Sequence, residues 1–229
     1  MSKLKLLAAS LVMVIMASTS FAGISEGFRI GVGVADTEVN GSGSEVLKNG
    51  VSAATAQHGR RNTGSSSGSA TVGHLFLEKS FSNGMTIGID YIPGEASMGV
   101  QSRTDASSTE GSTVSTDVVN KADAEISNHI TYYGLMPLGD SPIFIKGGIT
   151  SMDVETKEVL GTGATYGNVS LNGVTVGIGA HLERDSGLFL RVEANVAEYE
   201  NLTLTGSTGN VIQADLDTSE ARFSIGKSF

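Results

Sequence analysis

Apolar residues recur at every second position through eight stretches of the chain. In residues 28–39, Phe28, Ile30, Val32 and Val34 hold one parity, and Arg29, Gly31, Gly33 and Ala35 the other. Residues 71–81 and 85–96 follow, joined by the tight turn Ser82-Asn83-Gly84; in the second of them Met85, Ile87, Ile89 and Tyr91 oppose Thr86, Gly88 and Asp90. Residues 126–138 turn at Gly139-Asp140-Ser141-Pro142 into residues 143–158. The cleanest alternation lies in 169–183, where Val174, Val176, Ile178, Ala180 and Leu182 oppose Thr175, Gly177, Gly179 and His181. After a turn at 184–187, Leu188, Leu190, Val192, Ala194 and Val196 oppose Arg191, Glu193 and Asn195. The last stretch, 211–229, sets Ala221, Phe223, Ile225 and Phe229 against Glu220, Arg222, Ser224, Gly226 and Ser228. A period of two sends successive side chains to opposite faces, so each stretch predicts a β-strand between two unlike environments.

The connections sort into two sets. Three are short (82–84, 139–142, 184–187) and four are longer (40–70, 97–125, 159–168, 206–210), in strict alternation. Residues 40–70 and 97–125 are rich in Gly, Ser and Thr with no sustained period, and are read as loops. Short turns at one end and long loops at the other predict an up-and-down barrel with both chain ends on the short-turn side. A secreted β-sandwich also accommodates eight strands, but nothing in it requires this alternation.

The first 22 residues stand apart: Lys3 and Lys5, an apolar stretch from Leu6 to Ala17, then small residues with Ser20 and Ala22 placed for cleavage. That is the layout of a secretory leader, and about twelve apolar residues fall short of the roughly twenty of a membrane helix. Its removal leaves 23–229 as one domain and, with Lys3 and Lys5 gone, moves the formal charge from −9 to −11. An acidic chain repels phosphate backbones, so nucleic acid is not an expected partner. The absence of cysteine excludes disulfides, thiol catalysis and Cys-based zinc sites. No later apolar run is long enough for a membrane helix, so a membrane location requires a closed barrel, where every strand hydrogen bond is satisfied.

The closing stretch, with Phe229 as its last residue, resembles the final strand of bacterial outer-membrane β-barrels. In that family the segment is read by the barrel-assembly machinery, which implies Ala221, Phe223, Ile225 and Phe229 as the assembly signal. Lys227 departs from the family pattern, where an aromatic or apolar residue is usual. Taken with the leader, the eight strands and the connection lengths, the mature chain resembles the OmpA/OmpX-like class of small outer-membrane barrels. The resemblance implies an all-β, eight-stranded antiparallel up-and-down transmembrane β-barrel in the cell outer membrane, with both termini periplasmic. It also implies contact with outer-membrane lipid and lipopolysaccharide, and a structural or surface-interaction role. Loops 40–70 and 97–125 would then meet a host, phage or other surface ligand. Phe28, Phe81, Phe144, Phe189 and Phe229 fall beside the short turns or at that end of a terminal strand, and Tyr91 and Tyr199 nearer the opposite ends, as aromatic girdles would place them. Phe144 and Phe189 nevertheless carry the inward parity.

The inward faces hold charges in balance: Arg29, Lys146, Arg191 and Arg222 against Glu78, Asp90, Glu193 and Glu220. Counted from the short turns for Glu78, Asp90, Lys146, Arg191 and Glu193, and from Phe229 for Arg222, these heights overlap near mid-barrel, and an eight-stranded barrel is only wide enough to be filled by side chains. The expectation is a salt-bridged plug, because unpaired charge in so narrow a space is too costly; an ion path or a catalytic cluster is the competing reading. Barrel enzymes such as lipid A deacylases, palmitoyltransferases and omptin proteases need a histidine-centred site near the outer rim. Here His58 sits in a loop beside Arg60 and Arg61, His74 and His181 point inward, and His129 lies near Ser127 and Asp123. None of these matches a barrel-enzyme motif, and no catalytic activity is expected; a lipid A-modifying enzyme is the alternative. Asp153 with Glu155, and Asp215 with Asp217, pair carboxylates two apart, but without calcium-loop spacing they read as solvated acids. Arg60-Arg61 is a weak candidate for lipopolysaccharide phosphate. No Gly-Lys-Ser/Thr follows a glycine run, and no cofactor is expected.

Overall fold

The computed structural model describes residues 26–46, 61–107, 116–160, 165–207 and 209–229. The leader, His58 and Arg60 lie outside them. Ten strands form: β1 (Gly27–Val46), β2 (Arg61–Ser80), β3 (Thr86–Ser97), β4 (Gln101–Ser107), β5 (Thr116–Pro137), β6 (Ile143–Val159), β7 (Val169–Glu183), β8 (Leu188–Tyr199), β9 (Leu202–Thr205) and β10 (Val211–Ser228). Eight of them pair in the order β1-β2-β3-β5-β6-β7-β8-β10, and β10 pairs β1 again to close the ring. Every pairing is antiparallel, from Arg29↔Ser228 to Val46↔Val211 at the seam. One sheet closed on itself replaces the two stacked sheets of the sandwich alternative.

The alternation decides the two faces. Phe28, Ile30, Val32, Val34, Leu75, Leu77, Ile87, Val174, Val176, Phe223 and Ile225 are exposed on the outside, while the opposite parity is buried, charged residues included. A water-soluble protein would reverse this arrangement.

The structure corrects the long connections. Residues 40–46 continue β1 and pair with 61–67 of β2, so much of the 40–70 stretch is ladder. Within 97–125, β4 folds back on β5 from Gln101↔Ala122 to Ser107↔Thr116. Ahead of the last strand, β9 pairs β10 from Val211↔Thr205 to Ala214↔Leu202, so the 206–210 connection is the tip of a small hairpin. Alternation is weak over 40–46 and 61–67, where side chains on both faces are exposed or half-buried, yet backbone pairing continues without it; β9 keeps the alternation, burying Leu202 and Leu204 and exposing Thr203 and Thr205.

Glycines make room for the rings inside. Directly across the ladder, Gly31 faces Phe76, Gly88 faces Tyr133, Gly179 faces Phe144 and Gly226 faces Phe189. A Cβ on any of the four would overlap its partner's ring, so each aromatic lies flat over a position without a side chain. Phe144 and Phe189 are completely buried, which corrects their place in an outer girdle. Higher in the barrel the filling turns apolar, with Met152, Val154, Leu171, Leu202, Leu204 and Leu216 in one buried cluster.

Candidate functional site: the charged interior

The inward parity places all eight anticipated charges in the interior, and all eight are buried. They do not form a single belt at mid-height. Instead they divide into two groups with a bridge between them.

The first group lies towards the short-turn end. Arg191 Nη1 donates to Glu78 Oε1 at 2.5 Å and Nη2 to Oε2 at 2.7 Å. The guanidinium carbon sits 4.9 Å from the Phe76 ring centre and 5.5 Å from those of Phe144 and Phe189. A delocalised, weakly hydrated cation tolerates this aromatic surround better than an ammonium would. Tyr133 Oη donates to Glu78 Oε1 at 2.6 Å, adding a third contact to that carboxylate. Arg29 stands 4.0 Å from Glu78 and 3.6 Å from Glu183, donates to Ser228 Oγ at 3.1 Å, and also contacts Ser80 Oγ. His181 Nε2 lies 3.0 Å from Glu183 Oε2.

The second group lies further along the barrel. Arg222 is 2.8 Å from Asp90 and 2.7 Å from Glu220. His74 Nδ1 meets Asp90 Oδ2 at 2.7 Å, and its Nε2 meets Ser224 Oγ at 3.1 Å. Lys146 Nζ donates to Glu193 Oε2 at 3.1 Å and stands 4.3 Å from the Tyr133 ring centre. Glu193 also lies 3.7 Å from Arg191, and so joins the two groups.

Glu183, His74 and His181 belong to this interior but were outside the anticipated set of eight. Glu183 shares the parity of Thr175, Gly177, Gly179 and His181, so the signal was present in the sequence. Its inclusion alters the expected balance to five carboxylates facing four Arg or Lys cations. Each buried carboxylate has at least one cation or histidine within 4.0 Å. Removing a charge of this kind from water costs several kcal/mol, which only close opposite charge and hydrogen bonds offset.

The outer-rim histidine does not form a catalytic set. His129 Nε2 meets Tyr199 Oη at 2.9 Å and Thr150 Oγ1 at 2.9 Å, whereas Asp123 accepts from Ser97 Oγ at 2.9 and 3.1 Å. Tyr199 is therefore an inward, buried residue and not part of a girdle. Three of the four paired acids on the strand extensions are engaged by neutral neighbours. Asp153 accepts from Ser170 Oγ at 2.5 Å and Asn128 Nδ2 at 2.9 Å, Asp217 from Asn40 Nδ2 at 3.1 Å, and Asp215 from Asn201. The two hydrogen bonds hold the Asp153 carboxyl below its usual range, Ser170 contributing most. Among the described residues no three His or acidic side chains gather as a metal site.

On β10, Phe223 and Ile225 are exposed on the outer face and Ala221 is half-buried beside them; Phe229, one residue past the strand, is exposed as well. Lys227 interrupts that face because its ammonium donates to the Ser186 carbonyl in the turn between β7 and β8. The chain end is fixed by backbone bonds, Phe229 N to Phe28 O at 2.8 Å and Phe28 N to Phe229 O at 3.2 Å.

No protein-family model matches the chain, and none of the curated proteins does. Among solved structures it is similar to the outer-membrane protease OmpT of Escherichia coli, at 10% identity over 93% of this chain and 99% of that one, with a TM-score of 0.45. It is also similar to the outer-membrane protein OprG of Pseudomonas aeruginosa, at 11% identity over 92% and 99%, with a TM-score of 0.43. The attachment invasion locus protein Ail of Yersinia pestis matches at 10% identity over 86% and 99%, with a TM-score of 0.36. Likenesses of this size say nothing about what the present chain does.

Proposed function

We propose that this chain is an integral outer-membrane protein with a structural, surface-facing role and no catalytic activity, its lumen plugged by the ion-pair network. The observation that carries this reading is the inversion of faces. A closed ring exposes Phe28, Ile30, Val32, Val34, Val174, Val176, Phe223 and Ile225 outward and buries Arg29, Glu78, Asp90, Arg191, Glu193 and Arg222 inside. Hydrocarbon around the ring removes the cost of that apolar exterior, and closure gives every strand of the ring two paired neighbours, β2 and β3 sharing only six positions.

In this reading both termini face the periplasm, and the Phe229 end is presented to the barrel-assembly machinery. The outer parts of β1, β2, β4, β5 and β6 stand beyond the lipid among lipopolysaccharide. Stretches 40–70 and 97–125 supply the surface that a host, phage or other ligand would meet. Catalysis is disfavoured because His129 Nε2 bonds Tyr199 and Thr150 and, among the described residues, no carboxylate hydrogen-bonds its ring.

Expression with the leader, followed by membrane fractionation, tests the assignment. The folded protein should appear in the outer membrane, migrate differently on gels before and after boiling, and be cut by external protease only in the two long stretches. In planar bilayers it should show no steady open pore. A compact monomer in detergent-free buffer would overturn the reading, and altered lipid A that is lost in His129→Ala would favour the enzyme alternative.

A further inference from the structure

Strands β2 and β3 part company halfway up the wall. They pair only over six positions, from Ser80↔Thr86 to Leu75↔Tyr91. Above that, β2 continues to Arg61 paired with β1 alone, and β3 continues to Ser97 paired with β5 alone. The cause is local. The β3–β5 register shifts between Ile92 and Glu95, where Pro93 has no N–H to donate and Gly94 takes a φ of +94°. A bulge of this kind bends its strand away from the neighbour it would otherwise follow. The gap ends higher up where Met98 closes over Gly68, at which a Cβ would lie 3.0 Å from the Met98 Cα.

A cavity of about 60 Å³ lies behind this gap. Ala70, Val72, Ile92, Met98 and Met152 give it apolar walls, and Thr37, His129 and Glu220 also line it. Both inward residues (Val72, Ile92) and outward ones (Ser69, Glu95) border it, so the space passes between the strands. Met98 and Ile126, which line it, also pack against the apolar cluster, while Glu220 on its wall is bound to Arg222 of the ion-pair network.

We propose that this cavity binds a membrane-dissolved alkyl chain bearing a neutral hydrogen-bonding oxygen, of the primary-alcohol class, admitted sideways between β2 and β3. Three observations set the ligand chemistry. The opening starts at Leu75, the outermost large apolar residue on the outer face of β2, so it adjoins the hydrocarbon-facing belt. The walls are largely apolar, and cavities of that kind stay dry and take apolar guests. Thr37 Oγ1 and His129 Nδ1 are buried without a hydrogen-bond partner among the described residues, and both residues line the space. A hydroxyl would satisfy one or both, whereas the Glu220 carboxylate on the same wall repels a second anion.

The methionines allow a direct test on the full folded chain in lipid nanodiscs. Met98 and Met152 line the cavity, while Met85 and Met136 are exposed on the outer face and report general partitioning into lipid. With 13C-labelled methionine methyl groups, 1-hexanol should shift Met98 and Met152 saturably and the other two only in proportion to its concentration. Ala70→Phe, which fills the cavity, should weaken the saturable response at least tenfold. Thr37→Val should weaken hexanol binding several-fold without changing the response to hexane, so the outcome does not rest on one variant. Equal responses at all four methyl groups would overturn the proposal, as would saturable shifts that survive Ala70→Phe. Hexanoate binding as tightly as hexanol would overturn the assignment of a neutral end group.

Discussion

Arg191 and Glu78, 113 residues apart in sequence, meet through two parallel contacts at 2.5 and 2.7 Å inside a ring of phenylalanines. Removing one partner leaves the other charged and dry with only a longer contact to balance it, Glu193 at 3.7 Å for Arg191 or Arg29 at 4.0 Å for Glu78. Glu78→Ala should therefore lower the unfolding free energy by about 3–5 kcal/mol, whereas Glu78→Leu combined with Arg191→Met should restore most of it. Urea unfolding in lipid vesicles, followed by the heat-modifiable gel shift, measures both. A single variant as stable as the parent would show that the pair contributes nothing.

The glycine–ring pairs give a second expectation. At Gly31, the nearest atoms to an added Cβ all belong to the Phe76 side chain, so crowding there is purely side-chain in origin. Gly31→Ala should cost about 1–3 kcal/mol, the usual range for overpacking. Phe76→Leu in the same chain should recover part of that cost, and a double-mutant cycle in the same unfolding assay reads the coupling.

How far the sequence alone disclosed this molecule depends on what each residue faces. Val174, Val176 and Ile178 against Thr175, Gly177 and Gly179 reveal a strand because lipid and lumen demand opposite side chains. Beyond the belt that contrast fades, so the paired stretches Gly41–Val46 and Ser66–Arg61 looked like loop. Parity likewise assigned Arg191 and Glu78 to the interior, but not to each other. Their meeting depends on the stagger of strands around the ring, which no local pattern encodes. The strand expected over 85–96 runs through Pro93-Gly94, and the effect of that pair on β2–β3 pairing follows only once the neighbours of β3 are known.

A pH effect should appear on the outer extension. Asp153 accepts two hydrogen bonds that hold its folded carboxyl below the ordinary value of 3.8. Its contribution to stability is thus complete above that value and is lost as pH falls through the lower folded one. Ser170→Ala should raise the Asp153 titration towards 3.8, as followed by carboxyl 13C NMR. The side chain is largely open to solvent, so the associated stability should stay under about 1 kcal/mol.

Phe229 is exposed and contributes its backbone, not its ring, to the bonds with Phe28. Phe229→Ala should leave refolding into detergent micelles unchanged while reducing several-fold the amount recovered in the outer membrane of expressing cells. Equal loss in both assays would make the ring a stability element instead of a recognition element.

The seam between β1 and β10 has a kinetic corollary. Arg29 finds its neighbour Ser228 199 residues along the chain, so two raw margins persist until β10 has been made. No partial product can finish the cylinder. Closure is therefore a contact of very high sequence separation, which is intrinsically slow to form, and both margins of the sheet stay open until it is made.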